Sequence, residues 1–375
     1  MTEQLVAHGY DAVVLSDPIN IRYATDVSNM QPWTSHSPAR YTVVCADGYT
    51  VAFEFAGSEH LAGHVAVVDE VRTSRNWFYF AAGERMAANA QMWADEVVDV
   101  VRQRCGSASA KIAADRLDPL GLDALRSRSV TVGDGQVVLE QARSIKCPGE
   151  VDLLRHSVEV AEAGLLRMHR DSLPGRSENQ IWAELHHENI CAGGEWIETR
   201  LLAIGHRTNP WYQESSTHVG EVGDILAVDT DMIGPNGYCA DISRSWTIGH
   251  VPLNAIQRDL YRSAVDQIEH NVGVITAGMS FDEFNERSWR IPERFRAGRY
   301  GYAFHGIGMA DEWPGVATHV DYDTYIGGFE PGMVVSVESL IGEDGGRESV
   351  KLETQVVITE TGVERLDTYP WEEHA

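Results

Sequence analysis

The chain has 375 residues, and its 56 acidic side chains outnumber 30 basic ones to give a formal net charge of -26. This balance argues against nucleic-acid binding, which needs a basic surface, and against docking on anionic lipid. No apolar run approaches the roughly 20 residues of a membrane span. We therefore predict neither a nucleic-acid nor a membrane partner, and a length that suits two domains of about 100–200 residues each.

The five cysteines are scattered along the chain, and none of them forms a CxxC motif. The first residues, MTEQLVAHGYD, contain neither a basic segment nor a long apolar segment, so we predict no secretory signal. An odd number of dispersed cysteines suits a reducing compartment, where they act as small apolar side chains. We therefore expect a cytoplasmic protein.

Residues 1–142 have the pattern of a small α/β domain. Alternating and apolar runs predict strands at 11–15, 41–45, 50–55, 111–114 and 136–139, and residues rich in Ala, Met and Glu predict helices at 81–104 and 120–126. A loop at 29–33 carries Trp33, which is either a substrate contact or an ordinary packed aromatic residue. No catalytic cluster is evident in this domain.

The stretch RSIKCPGE, residues 143–150, marks a domain boundary because Pro-Gly interrupts it before a predicted helix at 151–170. Beyond it, one pattern occurs twice in residues 143–375. Ser177 and Ser280 each follow a helix and a glycine, and Gln180 and Glu283 stand three residues after them, as at helix N-termini. Two helix–helix–strand halves would place one site at their common interface.

Residues 226–246, LAVDTDMIGPNGYCADISRSW, read as a hairpin that turns at Asn236-Gly237. Asp229 and Asp231 are two positions apart and should share one face of a strand, and Asp241 returns on the other arm. Carboxylates gathered in a small volume raise each other's pKa, and a divalent cation relieves the repulsion. The alternative is a solvated acidic hairpin.

Three later segments add candidate ligands. His305 lies in the glycine-rich HGIG, Glu338 ends an apolar strand, and Glu353 sits in an alternating strand that places Lys351 and Gln355 on its face. A buried Glu is costly unless it is paired or bound to a metal. Two divalent ions can be bridged by five residues in all, namely Asp229, Asp241, His305, Glu338 and Glu353. Iron, manganese, cobalt and zinc all suit such ligands.

The order of these ligands, with VDTD, GYCADISR, HGIG, PGMVVSVE and VKLETQVVIT around them, resembles the pita-bread metallopeptidase-like superfamily, which includes methionine aminopeptidase, prolidase and creatinase. The resemblance covers nearly the whole chain. It implies an α/β (α+β) protein, with a creatinase-type N-terminal domain at 1–142. A pseudo-two-fold pita-bread catalytic domain with a dinuclear metal site would follow at 143–375.

Departures from the peptidase pattern point to one branch. Asp311, in HGIGMADEWP, stands where peptidases carry a second His, and the segment is one residue shorter. Peptidases of this group often carry a proton-donating His ahead of the hairpin, but this chain has TNPWY there, at residues 208–212. His206 lies nearby but not at that position. The spacing from Asp229 to Asp241 is also one residue longer than usual. These features resemble the dimethylsulfoniopropionate lyases of the DddP type.

That resemblance implies specific roles. Asp229, Asp231, Asp241, His305, Glu338 and Glu353 would hold two metal ions, commonly iron. Asp311 would be the catalytic base, with Tyr300 and His305 as further catalytic residues, and Tyr300 would line the substrate pocket. The substrate is a sulfonium carboxylate, whose cation favours aromatic faces. The candidates for those faces are Trp33, Trp211, Tyr212, Tyr300, Tyr302 and Trp313.

Two other functions remain open from the sequence. An Xaa-Pro dipeptidase or aminopeptidase would use the same metals, although it should carry His at position 311. A non-catalytic binding module would keep the fold but has little reason to keep the ligands. We also expect a homodimer. Lyases of this branch have a longer N-terminal stretch than this chain, and we expect that difference to affect subunit packing.

Overall fold

The computed structural model describes residues 1–106 and 109–372. The chain forms two compact units, Met1–Arg143 and Ser144–Ala375. The boundary expected between residues 142 and 143 differs from this division by one residue. Each unit contains its own hydrophobic core.

The N-terminal unit is built on one six-stranded mixed sheet with the order β4-β3-β2-β1-β5-β6. Its strands are β1 (Ala12–Leu15), β2 (Tyr41–Cys45), β3 (Thr50–Glu54), β4 (Glu70–Thr73), β5 (Lys111–Ala114) and β6 (Thr131–Asp134). A hairpin joins β2 and β3, which pair antiparallel. Parallel pairing of β1 with β5 and of β5 with β6 makes the sheet mixed.

Seven helices accompany this sheet among the described residues. They are α1 (Thr2–Ala7), α2 (Pro18–Thr25), α3 (Gln31–Thr34), α4 (Tyr79–Ala82), α5 (Met86–Cys105), α6 (Pro119–Arg126) and α7 (Gln136–Ser144), with 3₁₀ turns at Glu59–Leu61 and Gly83–Arg85. The long helix predicted at 81–104 is therefore divided into α4, a 3₁₀ turn and α5. Trp33 lies in the short helix α3 rather than in a loop, and its ring packs edge-on against Phe55 at 6.2 Å.

The strand predicted at 136–139 is wrong, because those residues begin α7 and the strand lies earlier, at β6. A short apolar run such as VVL fits a strand or one turn of a helix equally well. The Asp134 carboxylate decides the outcome, since it accepts a hydrogen bond from the Gln136 N–H at 2.8 Å at the start of the helix. Within the helix, Val138 and Leu139 are buried while Val137 is half exposed.

The C-terminal unit contains three sheets, ordered β12-β9-β8, β11-β10-β7 and β14-β13-β15-β16-β17. Their strands are β7 (Trp196–Ile197), β8 (Leu202–Ile204), β9 (Ile225–Asp229), β10 (Met232–Ile233), β11 (Cys239–Ala240), β12 (Ser243–Thr247), β13 (Tyr302–Ile307), β14 (Asp311–Ala317), β15 (Val334–Gly342), β16 (Ser349–Thr359) and β17 (Gly362–Arg365). Within each sheet, the strand pairs are antiparallel.

Each half of this unit has a long helix, a shorter helix and then strands, as the repeated sequence pattern predicted. The helices are α8 (Pro148–Asp171), α9 (Glu178–Cys191), α10 (Ala255–Val274) and α11 (Phe281–Arg287), with 3₁₀ turns at Gly205–Thr208, Pro235–Gly237 and Glu293–Phe295. Ser177 and Ser280 cap α9 and α11 with their hydroxyl groups. The predicted α/β (α+β) fold class is therefore confirmed.

None of the helices within residues 1–106 and 109–372 combines the length and the apolar character that a membrane span requires.

A buried arginine holds the last segment of the chain against two strands of the C-terminal unit. Arg244 in β12 donates to the backbone carbonyl oxygens of Glu353 at 2.7 Å and Tyr369 at 2.7 Å. It also pairs with the Asp367 carboxylate at 2.6 Å, and both side chains are at most 3% exposed. Removing one member of such a pair leaves the other charge buried without a partner.

We expect Arg244→Met to lower the free energy of unfolding by about 3–5 kcal/mol, because Asp367 would keep a buried charge. Arg155→Met is the matched control in the same unit, since Arg155 pairs with Glu364 at the surface. Its cost should be about 1 kcal/mol or less. Urea unfolding followed by tryptophan fluorescence measures both. Equal effects of the two substitutions would contradict the role given to Arg244.

Candidate metal centre

The acidic hairpin is formed, but its first arm is not a continuous strand. β9 ends at Asp229, which lies opposite Ser243 of β12, and pairing resumes only at Met232 opposite Ala240. Asp231 lies between the two paired segments with a left-handed backbone, φ 37°. The prediction that Asp229 and Asp231 share a face of one strand is therefore wrong.

The break nevertheless brings the carboxylates together. One oxygen each from Asp229, Asp231 and Asp241 lies within 4.8 Å of the others. The Thr199 hydroxyl donates to Asp231 at 2.7 Å and fixes its direction. A local backbone turn therefore achieves the convergence that strand alternation was expected to give.

The other ligands come from the five-stranded sheet. Glu338 of β15 and Glu353 of β16 are directly opposite each other in the ladder, so two buried carboxylates face each other across one strand pair. The Asp241 N–H donates to the side-chain oxygen of Gln355 at 3.1 Å, and the Ser336 hydroxyl donates to the Asp241 carbonyl at 3.0 Å. These contacts fasten the hairpin to the sheet at the point where the acidic residues meet.

His305 of β13 completes the cluster. Its Nε2 lies 3.3 Å from Asp241 Oδ2, 3.4 Å from Glu338 Oε1 and 3.6 Å from Glu353 Oε1. Its Nδ1 lies 3.1 Å from the Gly306 carbonyl. Asp241, His305 and Glu353 form a second set of atoms within 4.8 Å of one another, which shares Asp241 with the hairpin set. The six predicted ligands therefore lie together, with Asp241 common to both sets.

Burial and mutual repulsion perturb the acidic groups. Burial raises the pKa of Asp229 to about 6, although Lys351 opposes it. Burial and then the charge of Glu353 raise the pKa of Glu338 to about 8, and the same two causes raise that of Asp241. Glu353 is the exception: burial alone would raise its pKa, but Lys351 and His305 lower it. Such a cluster is costly to keep ionised without bound cations.

Two oxygen atoms in the cluster have no hydrogen-bond donor among the described residues: Asp241 Oδ1 and Glu353 Oε1. Both are buried and belong to carboxylates in the predicted ligand set. Orphaned carboxylate oxygens beside an imidazole are a donor set that divalent transition metals accept. The residues therefore fit a metal centre.

Sequence reasoning overlooked Lys351 as a member of the site. Its side chain is fully buried, and its ammonium lies 2.6 Å from Glu338, 3.1 Å from Glu353 and 3.1 Å from Asp229. The Ser243 hydroxyl also lies 2.7 Å from it. The available signal was alternation, which placed Lys351 on the same face of β16 as Glu353.

Asp311 stands at the edge of this cluster as the first residue of β14. Its Oδ1 lies 3.8 Å from His305 Nδ1, and its side chain is 65% exposed. Neighbouring protein atoms displace water around the carboxyl and raise its pKa, while the positive charge of His305 opposes the shift. Asp311 is therefore a carboxyl group that faces solvent and adjoins the candidate ligands.

A buried ion pair supports the turn that carries Asp311. Lys146 donates to the Glu312 carboxylate at 3.0 Å, and both side chains are at most 2% exposed. The same carboxylate accepts a hydrogen bond from the Met309 N–H at 3.1 Å. These two contacts hold the turn between β13 and β14 in place, while the Asp311 side chain remains exposed to solvent.

Aromatic residues also lie close to Lys351. The Tyr300 ring is 4.7 Å from the Lys351 ammonium and stacks on Tyr212 at 5.7 Å. Trp211 is buried near them in a cluster with Ala227 and Leu340. Trp211 and Tyr212 also line a cavity of about 340 Å³. Three of the predicted substrate contacts therefore lie together beside the cluster.

The remaining aromatic candidates are placed differently. Tyr302 is 47% exposed, and its ring lies edge-on to His305 at 6.4 Å. Trp313 is half-buried, and its ring packs against Phe281 at 5.8 Å. Trp33 belongs to the N-terminal unit. A substrate role for Trp33 or Trp313 remains a prediction.

The sequence pattern of metallopeptidase family M24 matches residues 152–360. The chain belongs to that family. It is 40% identical to "Dimethylsulfoniopropionate lyase DddP" from Roseovarius nubinhibens over 99% of this chain and 85% of that protein. The protein of the same name from Roseobacter denitrificans gives the same identity and coverage. An Xaa-Pro dipeptidase from Pyrococcus furiosus is 27% identical over 61% of this chain and 64% of that protein.

Solved structures share the architecture. The prolidase from Pyrococcus furiosus matches with a TM-score of 0.77 at 19% identity over the whole of both chains. An Xaa-Pro dipeptidase from Bacillus anthracis matches with a TM-score of 0.79 at 21% identity, over 99% of this chain and 98% of that one. At these identities the likeness concerns the fold alone.

We expect Glu353→Ala to reduce bound divalent metal and to abolish the rise in melting temperature that metal gives, because ligand binding to the folded state stabilises it. Elemental analysis and thermal unfolding with and without chelator measure the two effects. Glu364→Ala is the control, since Glu364 is exposed on neighbouring β17. A Glu353→Ala protein with wild-type metal content would remove Glu353 from the ligand set.

Proposed function

We propose that this protein is a metal-dependent lyase that cleaves dimethylsulfoniopropionate into dimethylsulfide and acrylate. The observation that carries the proposal is the 40% identity to two DddP lyases over 99% of the chain. Asp311 beside His305 supports it, because a carboxylate occupies the position where the peptidase pattern has histidine.

In this proposal Asp229, Asp231, Asp241, His305, Glu338 and Glu353 hold two divalent ions, with iron as the first candidate and manganese, zinc or cobalt as alternatives. Bound metal ions would act as Lewis acids toward the substrate carboxylate and acidify the adjacent C–H bond. The shared position of Asp241 in both sets of candidate ligands supports a pair of neighbouring ions. His305 serves the reaction as a ligand and as the neighbour of Asp311.

Asp311 acts as the general base. Its carboxylate removes the proton from the carbon next to the substrate carboxylate. The electrons of that C–H bond form the C=C bond of acrylate, and the C–S bond breaks with its electron pair passing to sulfur. The exposure of Asp311 supports this role, because substrate entering from solvent can reach it.

The sulfonium cation would be recognised by aromatic rings and by the negative potential of the chain. An aromatic face attracts a cation within about 6 Å of its centroid. The paired rings of Tyr212 and Tyr300 support such recognition, with Trp211 packed behind them. Trp33, Tyr302 and Trp313 are further candidates whose roles rest on the sequence alone.

An Xaa-Pro dipeptidase activity is the alternative. The 27% identity to the Pyrococcus furiosus dipeptidase favours it, but that match covers only 61% of the chain. We also propose a cytoplasmic homodimer with a creatinase-type N-terminal domain and a pita-bread catalytic domain. Those assignments follow from the sequence pattern.

The purified, metal-loaded protein should release dimethylsulfide from dimethylsulfoniopropionate, detected by gas chromatography of the headspace. It should leave Gly-Pro intact in a parallel assay. Hydrolysis of Gly-Pro without any dimethylsulfide release would replace the lyase assignment with the dipeptidase one.

Asp311→Asn should lower kcat for dimethylsulfide release by at least about 100-fold, as expected for the loss of a general base. Its metal content should match the wild type, because Asp311 is not among the proposed ligands. Asp259→Asn on α10 is the control, since Asp259 is half-exposed and pairs with Arg294 at the surface. Undiminished activity in Asp311→Asn would show that another group removes the proton.

A further inference from the structure

The Lys351 ammonium is part of the cluster of candidate metal ligands. Its ammonium is in contact with the carboxylates of Glu338, Glu353 and Asp229, and its side chain is fully buried. A buried lysine needs such partners, because an uncompensated ammonium is costly in the protein interior. Lys351 is therefore a fixed cation of the site.

Lys351 contacts only one oxygen of each glutamate carboxylate in the ligand set. Lys351 binds Oε2 of Glu338 and Oε2 of Glu353. Glu338 Oε1 and Glu353 Oε1 instead face His305 Nε2 at 3.4 and 3.6 Å. Glu353 Oε1 has no hydrogen-bond donor among the described residues. Lys351 therefore leaves one oxygen of each of these two carboxylates without contact to its ammonium.

The charges of the proposed ligand set balance only when Lys351 is counted. The ligands comprise five carboxylates, which carry five negative charges when they hold metal, and His305 is neutral as a ligand. Two divalent ions supply four positive charges, and the Lys351 ammonium supplies the fifth. The Asp311 carboxylate at the edge of the site adds one negative charge. The site would therefore carry one net negative charge with the ammonium and two without it, and the second charge would strengthen its repulsion of an approaching carboxylate across a short, poorly screened distance.

We propose that Lys351 is a specificity-determining residue, which offsets one negative charge of the metal-loaded centre so that it accepts a substrate carrying a carboxylate. This inference rests on the proposed function for the number of metal ions and for the anionic end of the substrate. The position of Tyr300 supports it, since the Tyr300 ring lies 4.7 Å from the ammonium. Lys351 thus adjoins both the acidic ligands and Tyr300, one of the aromatic residues proposed to contact substrate.

Calorimetric binding of propionate and of propionamide to the metal-loaded protein tests the inference. The two ligands have nearly the same shape but differ in charge. The wild type should bind propionate at least tenfold more tightly than propionamide. Lys351→Gln should weaken propionate binding at least tenfold, which equals about 1.4 kcal/mol, and should leave propionamide binding unchanged.

Lys351→Arg keeps the positive charge and should restore propionate binding to within about threefold of the wild type. Arg40→Met is the control for the loss of a buried cation, because Arg40 pairs with Glu54 at 2.5 Å within the N-terminal unit, and both side chains are 1% exposed. It should lower the melting temperature while keeping the preference for propionate over propionamide. Metal content is measured on every variant.

Three outcomes would overturn the inference. In the first, Lys351→Gln binds propionate as the wild type does at unchanged metal content. In the second, Lys351→Gln cannot be loaded with metal and Lys351→Arg fails to restore loading, which would assign Lys351 to ligand shape rather than charge. In the third, the wild type itself binds both ligands equally, a result that does not depend on any variant folding.

These measurements are separate from those of dimethylsulfide release. A protein that discriminates propionate through Lys351 but releases no dimethylsulfide would retain this inference and lose the proposed reaction. A protein that releases dimethylsulfide but shows no dependence of propionate binding on Lys351 would do the reverse.

Discussion

The C-terminal unit is organised by the electrostatic cost of bringing five carboxylates into one buried volume. Four of them, those of Asp229, Asp241, Glu338 and Glu353, are at most 2% exposed. Burial disfavours this arrangement, since loss of water and repulsion between like charges both raise the free energy of ionised carboxylates. These costs are offset by positive charge from His305 and Lys351 and by the Ser243 hydroxyl, which donates hydrogen bonds to the carboxylates of Asp229 and Glu353.

The duplicated helix–helix–strand pattern provides the scaffold for that arrangement. The acidic hairpin follows α8 and α9, and β13, β15 and β16 follow α10 and α11. Neither half supplies a complete ligand set. The Gln355 side chain and the Ser336 hydroxyl join them by bonding the backbone of Asp241. The prolidase from Pyrococcus furiosus, at 19% identity, shares the architecture of this chain.

Much of this site was predictable because its candidate ligands lie at recognisable points of the sequence. Glu338 and Glu353 stand in apolar strands where an unpaired carboxylate is unfavourable, and Asn236-Gly237 fixes the hairpin that returns Asp241. The left-handed backbone of Asp231 was not predictable, because no local pattern reveals that β9 stops at Asp229. Lys351 was seen only as a neighbour on the strand. Its contacts with Asp229 and Glu338 depend on pairing between segments far apart in sequence, which periodicity does not report.

The N-terminal unit shows the same limit on a smaller scale. The hairpin strands β2 and β3 follow directly from their alternating and apolar runs. The segment at 136–139 does not, since a three-residue apolar run fits either kind of element and the Asp134 carboxylate favours the helix. Local chemistry therefore predicts turns and caps well, and it predicts short buried segments poorly.

The Arg244 contacts make the acidic hairpin depend on residues far downstream of it. Arg244 bonds the carbonyl oxygen of Glu353, the Asp367 carboxylate and the Tyr369 carbonyl oxygen, which stand 109, 123 and 125 positions later in the sequence. During synthesis the N-terminal parts of a polypeptide emerge and fold first. The hairpin strands are therefore made well before the partners that compensate the buried guanidinium, and the order of synthesis separates formation of the hairpin from its enclosure.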